Sequence, residues 1–328
     1  MQAISIGEFG GPEVCKLAEV PVPQPKAGEA VVRVAFAGVN FIDIYMRNGT
    51  YARSHTYQTP LPMVIGMEAG GTVESVADDV TNVKAGDRVA FCLSRGAYAE
   101  AIAVPAWKLV PVPVNVPLEI ATSLMLQGCT AHYLSRSAFP LSKGQSCLVH
   151  AGAGGVGQLL IQLAKSVGAM VLTTVSTSEK AEIAKKRGAD HCILYRDQDF
   201  EAEVRRLTSG KGVNVVYDSV GRDTVMKSIR SVSRRGLCVL FGASSGTVEA
   251  IEPLALAEAG SVFFTRPHLA DYMASADEIR GRAGELFRLY LDGKLNPVIE
   301  RQFPLKDAAE AHRYMEAGKT RGKLLLQV

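Results

Sequence analysis

One segment constrains this chain more than any other: His150–Gly157, HAGAGGVG, in which Gly152, Gly154 and Gly157 satisfy G-x-G-x-x-G. The pattern says little alone, and its setting gives it weight. It follows the apolar run Cys147–Ala151, opens a helical pattern at Gln158–Val167, and leads into a second apolar run at Met170–Val175. That order, strand then glycine turn then helix, is the arrangement of a dinucleotide site. The roles follow from the missing side chains. Gly152 permits the tight turn, Gly154 lets the backbone approach a pyrophosphate, and Gly157 lets the helix pack on the strand. Free amides at the helix N-terminus then bind phosphate.

The same rhythm continues downstream. Apolar strands are predicted at His191–Tyr195, Val213–Asp218, Leu237–Phe241 and Val262–Thr265, separated by helices at Glu179–Lys186, Phe200–Thr208, Thr224–Ser231 and Glu252–Ala259. Continuous apolar strands alternating with amphipathic helices indicate a buried parallel sheet covered on both faces. Six such strands match the α/β doubly wound, or Rossmann, architecture. The first third reads differently, as β segments at Ala30–Ala37, Gly71–Val76 and Arg88–Phe91 broken by Pro and Gly. The tail after about residue 270 has too little apolar mass for its own core, so it is expected to complete the first domain. With 328 residues and about 150 per domain, the expected division is 1–122 with 270–328, and 123–269.

The end of the second strand speaks to the nucleotide. An NAD site normally places an acid there for the ribose hydroxyls. Here Val175-Ser176-Thr177-Ser178 precedes Glu179 and Lys180, and hydroxyls with a lysine suit a ribose 2′-phosphate. The expected cofactor is NADPH. Glu179 is a counter-signal, and as an early helix residue it can point away. Lys180 has an alternative reading as a solvated residue of the first helical turn.

Composition excludes several classes. Thirty-six basic against 33 acidic residues leave +3, too little to argue for a nucleic acid partner. No apolar run is long enough to span a bilayer. The start, MQAISIGEFGGPEV, lacks the pattern of a secretion signal, and the six scattered cysteines suit reduced thiols, so a cytoplasmic protein is expected.

Further motifs carry a family resemblance over almost the whole chain: Gly38–Asp43 (GVNFID), Gly66–Gly71 (GMEAGG), Ala85–Val89 (AGDRV), Tyr217–Thr224 (YDSVGRDT), Phe241–Gly246 (FGASSG) and Thr265–Pro267 (TRP). With the glycine loop, they resemble the zinc-free, zeta-crystallin-like quinone oxidoreductases of the medium-chain dehydrogenase/reductase superfamily. The resemblance implies a β-rich, GroES-like catalytic domain beside the Rossmann domain. One departure is Gly152, where that group usually has Ser or Ala, which is expected to loosen the loop slightly.

Zinc alcohol dehydrogenases of the superfamily carry Cys and His where this chain has Asn40 and Met67, and neither replacement suits a zinc site. Cys129 lies near the third ligand's region but reads as a small buried hydrophobe. No metal is expected, so hydride must go to an acceptor already electron-poor, a quinone or enone. The resemblance places Asn40, Asp43 and Tyr45 by the nicotinamide, with Asn40 donating to cofactor or oxyanion and Tyr51 as a further aromatic. Asp43 reads equally as a helix-start residue satisfying backbone groups. Thr130 matches a position near the nicotinamide ribose and phosphates. Gly155 and Val156 match pyrophosphate amides, and Ser176, Lys180 and Tyr195 the 2′-phosphate site. Ser219, Phe241 and Ser244 end later strands, while Arg321 and Lys323 lie in the tail. His132 and His150 read as core or strand-edge histidines.

Two other functions stand beside quinone or enone reduction: an enoyl thioester reductase, and a nucleic-acid-binding or crystallin-like structural protein. The apolar segment Gly260–Pro267 is expected at a sheet margin, where pairing with a second copy would give a homodimer.

Overall fold

The apolar runs of the second half pair into one six-stranded sheet. Its order is His191–Leu194, Met170–Val175, Ser146–Val149, Val213–Asp218, Val232–Leu240 and Phe263–Thr265, with every neighbouring pair parallel. Numbered along the chain this is 3-2-1-4-5-6, with the reversal beside Ser146–Val149, where such sheets bind nucleotide. The computed structural model describes residues 1–328. Leu148, Leu172, Ile193, Val213, Val216 and Cys238 form part of the sheet's core, with Phe200, Val204 and Ile229 packed from the helices.

This unit comprises Thr130–Asp271 with Lys294–Asn296. The other comprises Met1–Cys129, Tyr272–Gly293 and Pro297–Val328. Both boundaries depart slightly from expectation, for local reasons. The helical segment from Leu118 to Gly128 stays with the first unit, where Glu68 accepts the Leu126 N–H. Asn296 stays with the second because its N–H and C=O bond the Gln162 side chain at 2.8 and 3.3 Å.

In the first unit, Glu29–Val39 is the central strand of a seven-stranded sheet. It pairs antiparallel with Glu68–Val76, Ala101–Pro105 and Lys323–Gln327. The last pairing puts the end of the chain beside Gly38 and Val39, just before Asn40. A three-stranded sheet joins Lys16–Glu19, Gln2–Ile6 and Met63–Val64. In the tail, the helix Ala276–Leu291 is capped by Ser275, which accepts the Glu278 N–H at 3.2 Å. Sequence reading gave no sign of the π turn at Leu124–Gly128. Its physical cause is Glu68, whose carboxylate takes the Leu126 amide out of the ordinary ladder. No helix is long and apolar enough to cross a membrane.

Candidate functional site

The glycine loop connects Ser146–Val149 to the twelve-residue helix Gly155–Ser166. Gln158 makes the first bond of the ladder, its N–H to Gly154 O at 2.9 Å, so the amides at Gly155, Val156 and Gly157 precede it and face outward from the helix end. A Cβ on Gly157 would lie 2.3 Å from Ala151 O and 2.9 Å from Gly152 Cα. A Cβ on Gly154 meets nothing closer than 3.2 Å. So Gly157 serves packing, while Gly154 keeps the approach open, which fits the pyrophosphate of a dinucleotide. Ala151 itself sits at φ +55°, a left-handed conformation unusual for a residue with a side chain and found at functional turns.

At Gly152 the space a side chain would take is filled from a neighbouring strand. A Cβ there would fall 2.0 Å from Thr173 Oγ1, and that hydroxyl donates to Val149 O at 2.6 Å. The side chain missing at Gly152 is replaced by Thr173 from the next strand.

Beneath the loop, His150 is buried and burial holds its pKa below the usual value. Ser228 Oγ donates to Asp218 Oδ2 at 2.7 Å, so it accepts from His150 Nε2 at 2.9 Å. Asp218 also accepts from the Val220 and Gly221 amides and from Thr224 Oγ1. This network shapes the turn carrying Ser219. Phe241 and Ser244 join it, since Phe241 N–H donates to Asp218 O and Ser244 N–H to Ser219 O. At the end of Met170–Val175, Ser176 and Lys180 are half-buried and Tyr195, 49% exposed, is tied there by its N–H to Val175 O. Thr177 caps the next helix, and Glu179 is exposed. Thr130 and His132 are buried.

The first unit gathers Asn40, Asp43, Tyr45 and Tyr51 around the short helix Phe41–Arg47. Asn40 is 2% exposed. Its Nδ2 donates to Glu68 Oε2 at 2.8 Å and to Gly38 O at 3.1 Å, and its Oδ1 accepts from Lys323 Nζ at 2.7 Å. Both amide hydrogens are committed, so Asn40 cannot donate to an oxyanion as the sequence reading had it. Lys323 is no surface residue either: it is 2% exposed, paired with the buried Glu68, and so not available to a phosphate. Arg321 is exposed, and its N–H donates to Glu300.

Asp43 takes the helix-start role left open by the sequence. Its Oδ2 accepts the Asn40 N–H at 2.8 Å and the Tyr98 hydroxyl at 3.0 Å. Fully buried, it has an Oδ1 without a hydrogen-bond partner. Burial pushes its pKa up to about 7, against the Asn40 amide, Tyr98 and Lys323, which lower it, and with Glu68, which raises it. Behind Tyr98, His312 Nε2 lies 3.2 Å from the hydroxyl, and Arg47 meets His312 Nδ1 at 3.1 Å. Burial and Arg47 lower His312 to about 3, so it stays neutral, accepts from Arg47 and donates to Tyr98.

A pH dependence follows from Asp43. An unfolded aspartate releases its proton near pH 4, whereas the folded group keeps it to about 7. Stability from this group is therefore whole below pH 4 and lost as pH rises through 7. Asp43→Asn keeps an acceptor oxygen for Asn40 and Tyr98 but cannot ionise. The melting temperature of the unmodified protein is expected to fall relative to Asp43→Asn between pH 5 and 8. Parallel profiles would rule this out.

A run of aromatic rings begins on the helix. Tyr45 lies 5.9 Å from Phe41 and 5.4 Å from Tyr51, and Tyr51 stacks on Tyr57 at 5.2 Å and 24°. Tyr45 and Tyr57 are buried, and Tyr51 between them is half-buried. The sequence reading missed Tyr57, Glu68, Tyr98 and His312. Glu68, an acid among the apolar and glycine residues of Gly66–Gly71, was the one with a visible signal.

The donor set does not fit a zinc ion. No three His, Cys, Asp or Glu side chains are grouped to hold a metal. Asn40 is committed as above, Met67 is buried, and burial pushes the Cys129 thiol up to about 12, away from the thiolate a metal needs.

Two family models match the chain. The family described as alcohol dehydrogenase GroES-like domain matches residues 26–114, and that described as zinc-binding dehydrogenase matches 187–326. A 2-haloacrylate reductase from Burkholderia sp is 40% identical over 99% of this chain and 98% of its own. Quinone oxidoreductase 1 of Escherichia coli (strain K12) is 39% identical over 98% of each. Among solved structures, a mycobacterial protein complexed with NADPH superposes with a TM-score of 0.96 at 44% identity, covering 100% of both chains. The Escherichia coli quinone oxidoreductase complexed with NADPH also gives 0.96, at 38% identity and 100% of both chains.

Proposed function

That the chain belongs to the quinone oxidoreductase family of medium-chain dehydrogenase/reductases is the premise from which we propose its reaction: NADPH-dependent reduction of a quinone or related α,β-unsaturated carbonyl compound. What supports the acceptor class is the likeness to a 2-haloacrylate reductase and to quinone oxidoreductases, together with a residue set that does not fit a metal Lewis acid. Without one, the acceptor itself must be electron-poor. Bound NADPH supplies a hydride, two electrons to the acceptor, with one proton from solvent completing the hydroquinone or saturated carbonyl product.

The chain's part is binding and orientation. The Gly155, Val156 and Gly157 amides take the pyrophosphate, with Gly152 and Gly154 shaping the loop, and Thr130, Ser219, Phe241 and Ser244 extend the cofactor contacts. Ser176, Lys180 and Tyr195 take the 2′-phosphate. Tyr45 and Tyr51 stack on the conjugated acceptor, and Asn40 orients the nicotinamide. Arg321, exposed in the tail, is a further cofactor contact, and Asp43 acts through Asn40. The test is NADPH oxidation against quinones, 2-haloacrylates and enoyl-CoA thioesters. Turnover with quinones or conjugated carbonyls is expected, and turnover with enoyl-CoA alone would replace this reading.

Lys180→Ala is expected to weaken NADPH by about 1–3 kcal/mol, the worth of a charge-assisted bond, and to leave NADH nearly unchanged. Equal losses for the two would show that Lys180 does not meet the 2′-phosphate.

We also propose a cytoplasmic homodimer. All six cysteines are free. Phe263–Thr265 forms the margin of the six-stranded sheet, and Phe263 is 64% exposed on it. An uncovered edge with an exposed aromatic is normally paired or shielded. Val262, which the sequence grouped with that edge, is already buried within the chain and bonds Leu256 O through its N–H. Light scattering is expected to give a dimer, and Phe263→Asp a monomer with unchanged melting; a wild-type monomer would refute this.

A further inference from the structure

Asn40 is tied to two buried charges that the reaction does not obviously need. Glu68 and Lys323 are 0% and 2% exposed, and they come from strands 255 residues apart in the chain. Their bonds close on one another. Lys323 Nζ donates to Glu68, to Asn40 Oδ1 and, at 3.5 Å, to Val39 O. Glu68 Oε1 takes the Leu126 amide, and its Oε2 takes Lys323 and Asn40. Gly38 makes room for the pair, because a Cβ there would fall 1.9 Å from Glu68 Oε2 and 2.9 Å from Lys323 Nζ. A side chain at Gly38 would displace both charged ends from this arrangement.

A buried ion pair is a poor source of stability, since apolar residues of similar volume often do as well. What this one does is fix polarity. Rotated by half a turn, the Asn40 amide would set its hydrogens against an ammonium and its oxygen against a carboxylate. The two charges forbid that, so Nδ2 faces Glu68 and Oδ1 faces Lys323. The oxygen keeps one lone pair after accepting from Lys323.

We infer that Glu68 and Lys323 are positioning residues, which hold Asn40 with its oxygen as an acceptor for the carboxamide N–H of the nicotinamide. This rests on the NADPH-dependent reaction proposed above. Asn40 thereby reads the amide of the cofactor, and Glu68 and Lys323 act only through it. The side chain that the sequence offered as a donor works in the opposite sense.

The test uses the full chain and two ligands: NADPH, and 2′,5′-ADP, which has the 2′-phosphate but no nicotinamide. Lys323→Met alone leaves Glu68 charged and unpaired, and its melting temperature is expected to drop. Glu68→Gln with Lys323→Met removes both charges and is expected to recover most of that loss. In this double variant NADPH binding should weaken about tenfold, the worth of one hydrogen bond, with 2′,5′-ADP unchanged and kcat reduced. Asn40→Ala, which leaves the ion pair in place, should show the same selective loss, and it decides the matter should the double variant not fold. If both ligands weaken together, or NADPH binding returns with the melting temperature, the pair is merely structural and the inference fails. A wild-type protein that binds NADPH but reduces no quinone or enone would instead sink the proposed reaction, leaving the ratio of the two affinities to judge Asn40.

Discussion

Gly157→Val is expected to abolish NADPH binding in any practical range, raising Kd by at least about a hundredfold, roughly 3 kcal/mol. Even a Cβ at this position would stand 2.3 Å from Ala151 O, 2.9 Å from Gly152 Cα and 3.0 Å from Ala151 C. All three are backbone atoms, so no rotamer change relieves the clash. The helix Gly155–Ser166 would have to withdraw from the loop, taking the phosphate-binding amides with it. Melting temperature should fall as well, because Leu159, Leu160 and Leu163 on that helix are buried. Gly154→Ala separates the two effects. Its Cβ approaches only Ala151 O, at 3.2 Å, so the fold should keep its melting temperature while the methyl obstructs the pyrophosphate. Titration calorimetry with NADPH and thermal melting of both variants measure this. Wild-type affinity in Gly157→Val would remove the glycine loop from the cofactor site.

Arg47→Met is expected to give a large loss of stability, about 3 kcal/mol, at the low end for breaking a buried ion pair. Arg47 is 1% exposed and ties the first helix of the chain to its last. Its guanidinium pairs with Glu316, donates to His312 Nδ1 and, through Nε at 3.1 Å, to Gly10 O. Methionine fills much of the volume but leaves Gly10 O and His312 without their donor. Glu316 is a third exposed and can hydrate, which keeps the loss from being larger. A fall in melting temperature of about 4 °C follows for a chain of this size. Arg206→Met is the control: its pair with Glu203 is exposed on one side, 66% against 21%, and should be worth little. Equal melting of the two variants would contradict the argument.

The Rossmann half was legible because its signals are local. Met170–Val175 and Val213–Asp218 match their expected limits, since a buried parallel strand leaves an unbroken apolar run, whereas Val232–Leu240 begins five residues before the expected Leu237, through the exposed Arg234 and Arg235. In the glycine loop only spacing is local: a Cβ on Gly157 would meet backbone of the same loop, whereas the space at Gly152 is taken by Thr173 from a neighbouring strand. The first unit was harder to read. Its central strand runs over Glu29–Val39 and meets partners from three distant segments, and no periodicity announces which they are.

The sequence by itself determined the nucleotide architecture, the absence of an acid at Val175 and Ser176, and the lack of zinc ligands at Asn40 and Met67. These depend on residue types within a few positions of one another, where side-chain period and backbone geometry act directly. Only the tertiary structure decided what Asn40 can do. Its amide is oriented by Lys323, 283 residues away, and by Glu68, 28 away, while Asp43 is buried under Tyr98 and His312. Hydrogen-bond polarity and burial are properties of what surrounds a group. For these residues the surroundings come from the two ends of the chain, brought together only when Lys323–Gln327 pairs with Glu29–Val39.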